Sequence, residues 1–224
     1  MFVPFAIIAI FLCSFSNILI NKSYNIPWVK FFTTILLSWG CCLLSARVWH
    51  FIESGDFNQN SFFGVVFLLP LFEMLLSKIL KIETWKMTNI CTLLTSITYA
   101  VSKISCTINN CCIGKMITMP NGLQRIFPSS KVECAFGFIL FFMFLILILK
   151  YKNSKILYPI FMIVYGVGRF ILNSFRLEEP IFSFFRIGHI WSVCSIVIGI
   201  ISIILIINFN KNHLQKNISL QEGK

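Results

Sequence analysis

The sequence predicts an all-α, polytopic membrane protein with about seven transmembrane helices, and three observations carry that expectation. Apolar residues make up 57% of the 224 residues and charged residues only 12%, where a soluble domain carries roughly a quarter charged. Mean hydropathy is +0.84. Apolar stretches long enough to cross ~30 Å of hydrocarbon at ~1.5 Å per residue recur along the chain. This composition excludes a soluble enzyme, a disordered tail and a disulfide-rich secreted module.

The expected spans lie near 2–20, 31–49, 62–80, 88–108, 133–149, 156–175 and 187–208. The first has no Lys or Arg ahead of its apolar run, so it reads as a retained span and not as a cleavable signal peptide. The second is short, and the fourth is rich in Ser, Thr and Cys. Within the third, Pro70 is followed by Glu73, an intramembrane acid that could pair with Lys78 at the span end. Seven spans of about 20 residues leave little room for a separate soluble domain. Residues 1–210 are expected to be a single transmembrane domain and 211–224 a polar tail.

The net charge of +11 would suggest nucleic acid in a soluble protein; in a membrane protein it reports sidedness instead, and no nucleic-acid partner is expected. Alternate connections and the tail carry lysines only: Lys22, Lys30, Lys78, Lys81, Lys86, Lys150, Lys152, Lys155, Lys211, Lys216 and Lys224. The positive-inside rule makes that face cytoplasmic, with the N-terminus out and the C-terminus in. The opposite face holds Lys103, Lys115 and Lys131 and all five arginines: Arg47, Arg125, Arg169, Arg176 and Arg186. Arginine there either pairs with Glu53, Asp56, Glu133, Glu178 and Glu179 or binds an anion, because its planar fork matches phosphate oxygens. Arg169 falls inside a span, where a basic residue is a functional candidate by default. The functional reading is a site for a phosphate-bearing lipid at the outer leaflet.

Three segments concentrate polarity at outer span ends. In Lys103-Ile-Ser-Cys-Thr-Ile-Asn-Asn-Cys-Cys-Ile-Gly-Lys115, Lys103 should be buried, Asn109 and Asn110 follow it, and Gly114 lets the chain turn out of the membrane. In Phe127-Pro-Ser-Ser-Lys-Val-Glu133, Pro-Ser-Ser is expected to open and cap the fifth span, with Glu133 in its first turns near the positive dipole end. In Tyr165-Gly-Val-Gly-Arg-Phe-Ile-Leu-Asn-Ser-Phe-Arg176, the spacing of Arg169, Asn173 and Arg176 predicts one helical face. Gly166 and Gly168 should allow close helix packing beside it.

These segments, with Gly188-His-Ile-Trp-Ser192 after them, resemble in order the motifs of the prolipoprotein diacylglyceryl transferases. The resemblance covers residues 95–205 by motif and the N-terminal third only by hydropathy. It implies transfer of a diacylglyceryl group from phosphatidylglycerol to the lipobox cysteine of a preprolipoprotein in the bacterial cytoplasmic membrane, releasing glycerol phosphate. It assigns catalysis to Lys103, Arg169, Glu133 and Arg176, and substrate binding to Asn109, Asn110, Gly114, Ser129, Tyr165, Asn173 and His189. It implies no metal and no cofactor, and its partners are phosphatidylglycerol, the preprolipoprotein and membrane lipids.

This chain departs from the family pattern at defined positions. Lys103 stands for the signature arginine, Asn173 for a glutamate expected to partner Arg169, and Ser102 and Ser105 for glycines. His189 replaces a glutamine, and it carries a group able to move a proton. The short His- or Tyr-Gly-Gly motif has no counterpart in Asp56–Gly64. An alternative is therefore a catalytically inactive or repurposed phospholipid-binding paralogue serving a dedicated peptide or membrane partner. His50 and His213 read as solvated. Cys111-Cys112 could be a redox or metal pair, but adjacent cysteines make a poor ligand set, and the nine cysteines read mostly as small apolar residues.

Overall fold

At ~1.5 Å per residue, a helix of about 20 residues covers the hydrocarbon core, and the apolar runs fold accordingly. The computed structural model describes residues 18, 20–21, 24–56, 60–118, 122–177 and 186–222, the side chains of 212–222 excepted. Its helices are α1 (Trp28–Ser54), α2 (Phe62–Leu80), α3 (Thr84–Ile108), α4 (Ser129–Lys150), α5 (Leu157–Asn173) and α6 (Ile187–Glu222). Five of them are long and apolar enough to cross a membrane, and α5 is a shorter apolar helix of 17 residues. The fold is that of an all-α polytopic membrane protein. The expected span 2–20 lies almost wholly outside the described residues, as do Glu178, Glu179 and the His213 side chain. Helix α6 runs unbroken through the expected polar tail to Glu222.

The Ser/Thr-rich fourth span is α3, and it is the most enclosed helix: 72% of its apolar window is buried, against 17% for α6. Its hydroxyls turn back on the helix, with Thr92 donating to Thr88 O (2.9 Å), Thr95 to Cys91 O (2.8 Å) and Ser96 to Thr92 O (2.9 Å). Polar atoms satisfied within the helix can be buried without water. Low hydropathy here marks the centre of the bundle. Outward positions such as Leu36, Leu75, Ile146 and Leu205 are exposed and apolar, as lipid contact requires.

Helices α3 and α4 approach most closely at Gly137, where an added Cβ would lie 2.7 Å from Ala100 Cα. Gly137→Ala should push two helix backbones apart and destabilise the protein by about 1–3 kcal/mol, read as a lower unfolding temperature in detergent. The two glycines of the sixth span serve packing as expected: a Cβ on Gly166 would meet Ser192 O and Ile196 of α6, and one on Gly168 the Phe136 ring of α4.

The connections sort to two ends. Segments 109–128 and 174–177 meet through a Gly114–Arg176 bridge and the bonds Lys115 N–H to Phe175 O (2.8 Å) and Leu177 N–H to Ile113 O (2.9 Å). At the other end, Asn89 Nδ2 donates to Tyr24 OH (2.9 Å) and Ser154 O (3.3 Å). The link between α3 and α4 holds a hairpin that periodicity does not predict, β1 (Met116–Thr118) against β2 (Gln124–Ile126), with Met116 opposite Ile126. Strands of three residues are too short to show alternation. Gly114 is required in this link, because any Cβ there would collide with the Phe127 carbonyl.

Three expectations are corrected. Pro128 holds the N-cap position of α4 with no side-chain capping bond; Ser130 instead donates to the carbonyls of Cys111 (3.0 Å) and Cys112 (3.4 Å). Arg176 is not on the α5 face, since α5 ends at Asn173. Glu73 is fully buried while Lys78 is exposed, so the expected pair does not form; the polar group facing Glu73 is Ser38.

Candidate active site

Four charged side chains converge where α3, α4 and α5 end. Lys103 lies five residues before the end of α3, Glu133 in the second turn of α4, and Arg169 four residues before the end of α5. Arg176 arrives by another route. It follows the end of α5, and its backbone bridge to Gly114 holds it beside the cluster.

Glu133 is the hub. Its Oε2 lies 2.7 Å from Lys103 Nζ and 2.6 Å from an Arg169 guanidinium nitrogen, and its Oε1 lies 3.6 Å from Arg176 Nε. Tyr99 OH donates to Oε2 at 3.3 Å. Glu133 is completely buried, and Lys103 and Arg169 are only 7% and 6% exposed. One carboxylate thus faces three cations. The Arg169 guanidinium is buried against both Glu133 and Tyr99. Below, the rings of Tyr99 and Phe63 lie 5.7 Å from Lys103 Nζ and 6.0 Å from the Arg169 guanidinium, a favourable setting for desolvated cations.

The cluster opens onto a cavity of about 460 Å³. Leu43, Phe63, Val65 and Val101 form apolar wall, and Lys103, Arg169 and Arg176 supply the charge. A greasy chamber with a cationic end suits an amphiphile whose head is an anion. Helix α1 contributes Trp39, Leu43, Ala46, His50 and Glu53 to this wall, none of them a candidate by motif. Their recurrence every three to four residues is the one sequence signal that could have found them. His50 is thus a cavity residue, with Nε2 3.0 Å from Ser54 Oγ, and not the freely solvated side chain that was expected.

The other candidates separate into those near the cluster and those that hold its surroundings. Tyr165 is buried under the cluster, its ring 5.3 Å from that of Tyr99. Asn109 and Asn110 are exposed in the turn after α3, with Asn109 Nδ2 donating to Ser105 Oγ at 3.3 Å. Ser129 is buried at the start of α4, its N–H donating to Phe127 O at 2.8 Å and its hydroxyl without a partner among the described residues. Asn173 is buried and its amide sits against Gly188, where a Cβ would collide with it. His189 is buried in α6, its ring accepting from Arg186 N–H (3.3 Å) and meeting Ser174 Oγ (3.3 Å). These contacts clasp the α5–α6 turn, as does the Arg186 guanidinium donating to Asn173 O. Arg47 and Arg125 are exposed. The arginine face is therefore two residues at the cluster, one in the clasp and two at the surface.

Outside the helices, the Cys112 thiol is held below the usual thiol range, first by its hydrogen bond with Cys106 and then by the positive charge of Lys103 and Arg176.

The chain matches the prolipoprotein diacylglyceryl transferase family over residues 5–205. It belongs to that family. The match takes in α1 and α2, so the helices that build the cavity wall are part of the family domain along with the motif-bearing ones. No curated protein matches the chain. As a family member it is a multi-pass membrane protein of the lipoprotein-biosynthesis transferase kind. Asn173, which the motif resemblance sets at a glutamate position, does not leave Arg169 without a carboxylate, because Glu133 supplies one.

Proposed function

We propose that the protein transfers the diacylglyceryl group of phosphatidylglycerol to the lipobox cysteine of an exported prolipoprotein, at the outer leaflet of a bacterial cytoplasmic membrane. The lysine-only connections then face the cytoplasm, with residues 1–210 as the membrane domain and 211–224 as the cytoplasmic segment. The observation that carries the reading is the Glu133-centred cluster of Lys103, Arg169 and Arg176, whose three cations line an otherwise largely apolar cavity.

In this reading the acyl chains lie along the Leu43, Phe63 and Val65 wall and the phosphodiester meets Lys103, Arg169 and Arg176. The cysteine sulfur attacks the glycerol carbon that bears the phosphate oxygen. That carbon–oxygen bond breaks, a thioether forms, and the electron pair leaves on glycerol phosphate. The proton lost by the thiol balances the second negative charge on the released phosphate. Charge grows on the leaving oxygen as the bond stretches, so fixed cations in a dry site favour the transition state over the bound lipid. Glu133 holds the cations in place and lowers their mutual repulsion.

The test is rescue of a bacterium depleted of its own transferase, with prelipoprotein modification followed by gel shift. Restored lipidation is the expected result. The departures at Lys103 and Asn173 leave a second reading, a lipid-binding paralogue without transfer activity, which a well-expressed protein that fails to rescue would favour over transfer. Lys103→Arg should keep or raise activity in the same assay, since a guanidinium adds a fork for phosphate and the adjoining cavity gives it room. Loss of activity in that variant would mean the site has been built around an ammonium.

A further inference from the structure

Cys106, Cys111 and Cys112 belong to no step of the proposed transfer, yet their sulfurs all lie within 4.8 Å of one another. We propose that these three thiols form a binding site for a soft, thiolate-seeking divalent ion, of which Zn²⁺ is the physiological example. The Cys106 and Cys112 sulfurs are 3.9 Å apart. Tetrahedral zinc with Zn–S bonds of about 2.3 Å holds its sulfurs about 3.8 Å apart, so these two need hardly move.

The sequence argued against such a site because adjacent side chains ordinarily point apart. The backbone removes that objection. Asn110 (φ 49°) and Cys112 (φ 60°) are both left-handed without being glycine, which breaks the alternation and brings Cys111 and Cys112 back toward the end of α3. Cys111 N–H bonds to Cys106 O at 3.1 Å, closing the segment on the residue that supplies the third sulfur. Ser130 fixes the other side by donating to both cysteine carbonyls. Strained non-glycine conformations of this kind persist where the surroundings over-determine them, and they concentrate at ligand sites.

Charge and access agree with the geometry. Three thiolates around a divalent ion carry one net negative charge, and Cys106 and Cys112 line the same cavity as Lys103, Arg169 and Arg176. Cys111 is exposed, which gives the ion a way in and leaves a fourth coordination position to solvent. Cys42 and Cys91 are buried separately within the helices and take no part.

The test uses the full chain, purified in detergent under reducing conditions. Elemental analysis should find one zinc per chain, removable by chelator. Cobalt(II) added to the stripped protein should produce sulfur-to-metal charge-transfer absorption in the near ultraviolet. Replacing Cys106, Cys111 or Cys112 by Ser should weaken cobalt binding by roughly tenfold or more, whereas Cys134→Ser and Cys194→Ser should leave it unchanged. The cobalt titration of the unmodified chain remains decisive if a serine variant fails to fold. Absence of the charge-transfer band in reduced protein overturns the proposal. So does a Cys106–Cys112 disulfide in the untreated protein that, once reduced, takes up no metal.

Discussion

Glu133→Gln should be among the most disruptive single substitutions in the protein. The change is nearly isosteric, but it removes the carboxylate that lies 2.7 Å from buried Lys103, 2.6 Å from buried Arg169 and 3.6 Å from Arg176. Removing one partner from a buried ionic group destabilises by about 3–5 kcal/mol. That should appear as a large fall in unfolding temperature in detergent, with poor recovery of monodisperse protein. Glu83→Gln, which breaks the surface pair with Lys86, should change nothing measurable, since exposed pairs contribute little. A second measurement separates electrostatics from packing. Anionic phospholipid should raise the stability of Glu133→Gln more than that of the unmodified protein, because a phosphodiester can take the place of the lost carboxylate among the three cations. Equal gains in the two proteins would mean that the cluster does not receive phosphate.

The charged members of this cluster were legible in the sequence, but their arrangement was not. Arg169 inside a span and Lys103 near another span end stand out because hydrocarbon penalises charge, and Glu133 stands out by its place in a helix start. Local periodicity reaches only within a helix, however. The pairing of Lys103 with Glu133, and of Glu133 with Arg169, joins separate helices and is set by how α3, α4 and α5 pack. For the same reason the loss of a glutamate at Asn173 suggests an unpartnered Arg169, when the partner comes from α4. Arg176 has helical spacing from Arg169 but lies past the end of α5, because the chain there bridges to Gly114. Helices α1 to α5 were readable to within about five residues, most closely at 62–80, since lipid allows no alternative to a continuous apolar helix, whereas α6 runs well past the expected 208 to Glu222. The hairpin was not, because hydropathy says nothing of three-residue strands in a polar link. The α1 wall of the cavity carries no chemical motif, only a stripe from Trp39 to Glu53.

Arg169→Ala should abolish transfer while leaving a folded protein, and the two arms of that expectation rest on different contacts. Stability should fall only moderately, because Glu133 keeps Lys103 at 2.7 Å and Arg176 at 3.6 Å and is not left as an unpaired buried charge. Activity should fall by at least about 10²–10³-fold, the usual effect of deleting one preorganised donor from a site where negative charge develops. Arg169 is the strongest case for such a donor: it is 6% exposed and lines the cavity. Release of glycerol phosphate from phosphatidylglycerol vesicles with a lipobox peptide measures the rate directly. Arg169→Lys should recover charge but not the fork, and so restore stability more than rate. Arg47→Ala and Arg125→Ala, both at exposed positions, should transfer at the unmodified rate. A fully active Arg169→Ala would remove the buried guanidinium from the chemistry and leave leaving-group stabilisation to Lys103 and Arg176 alone.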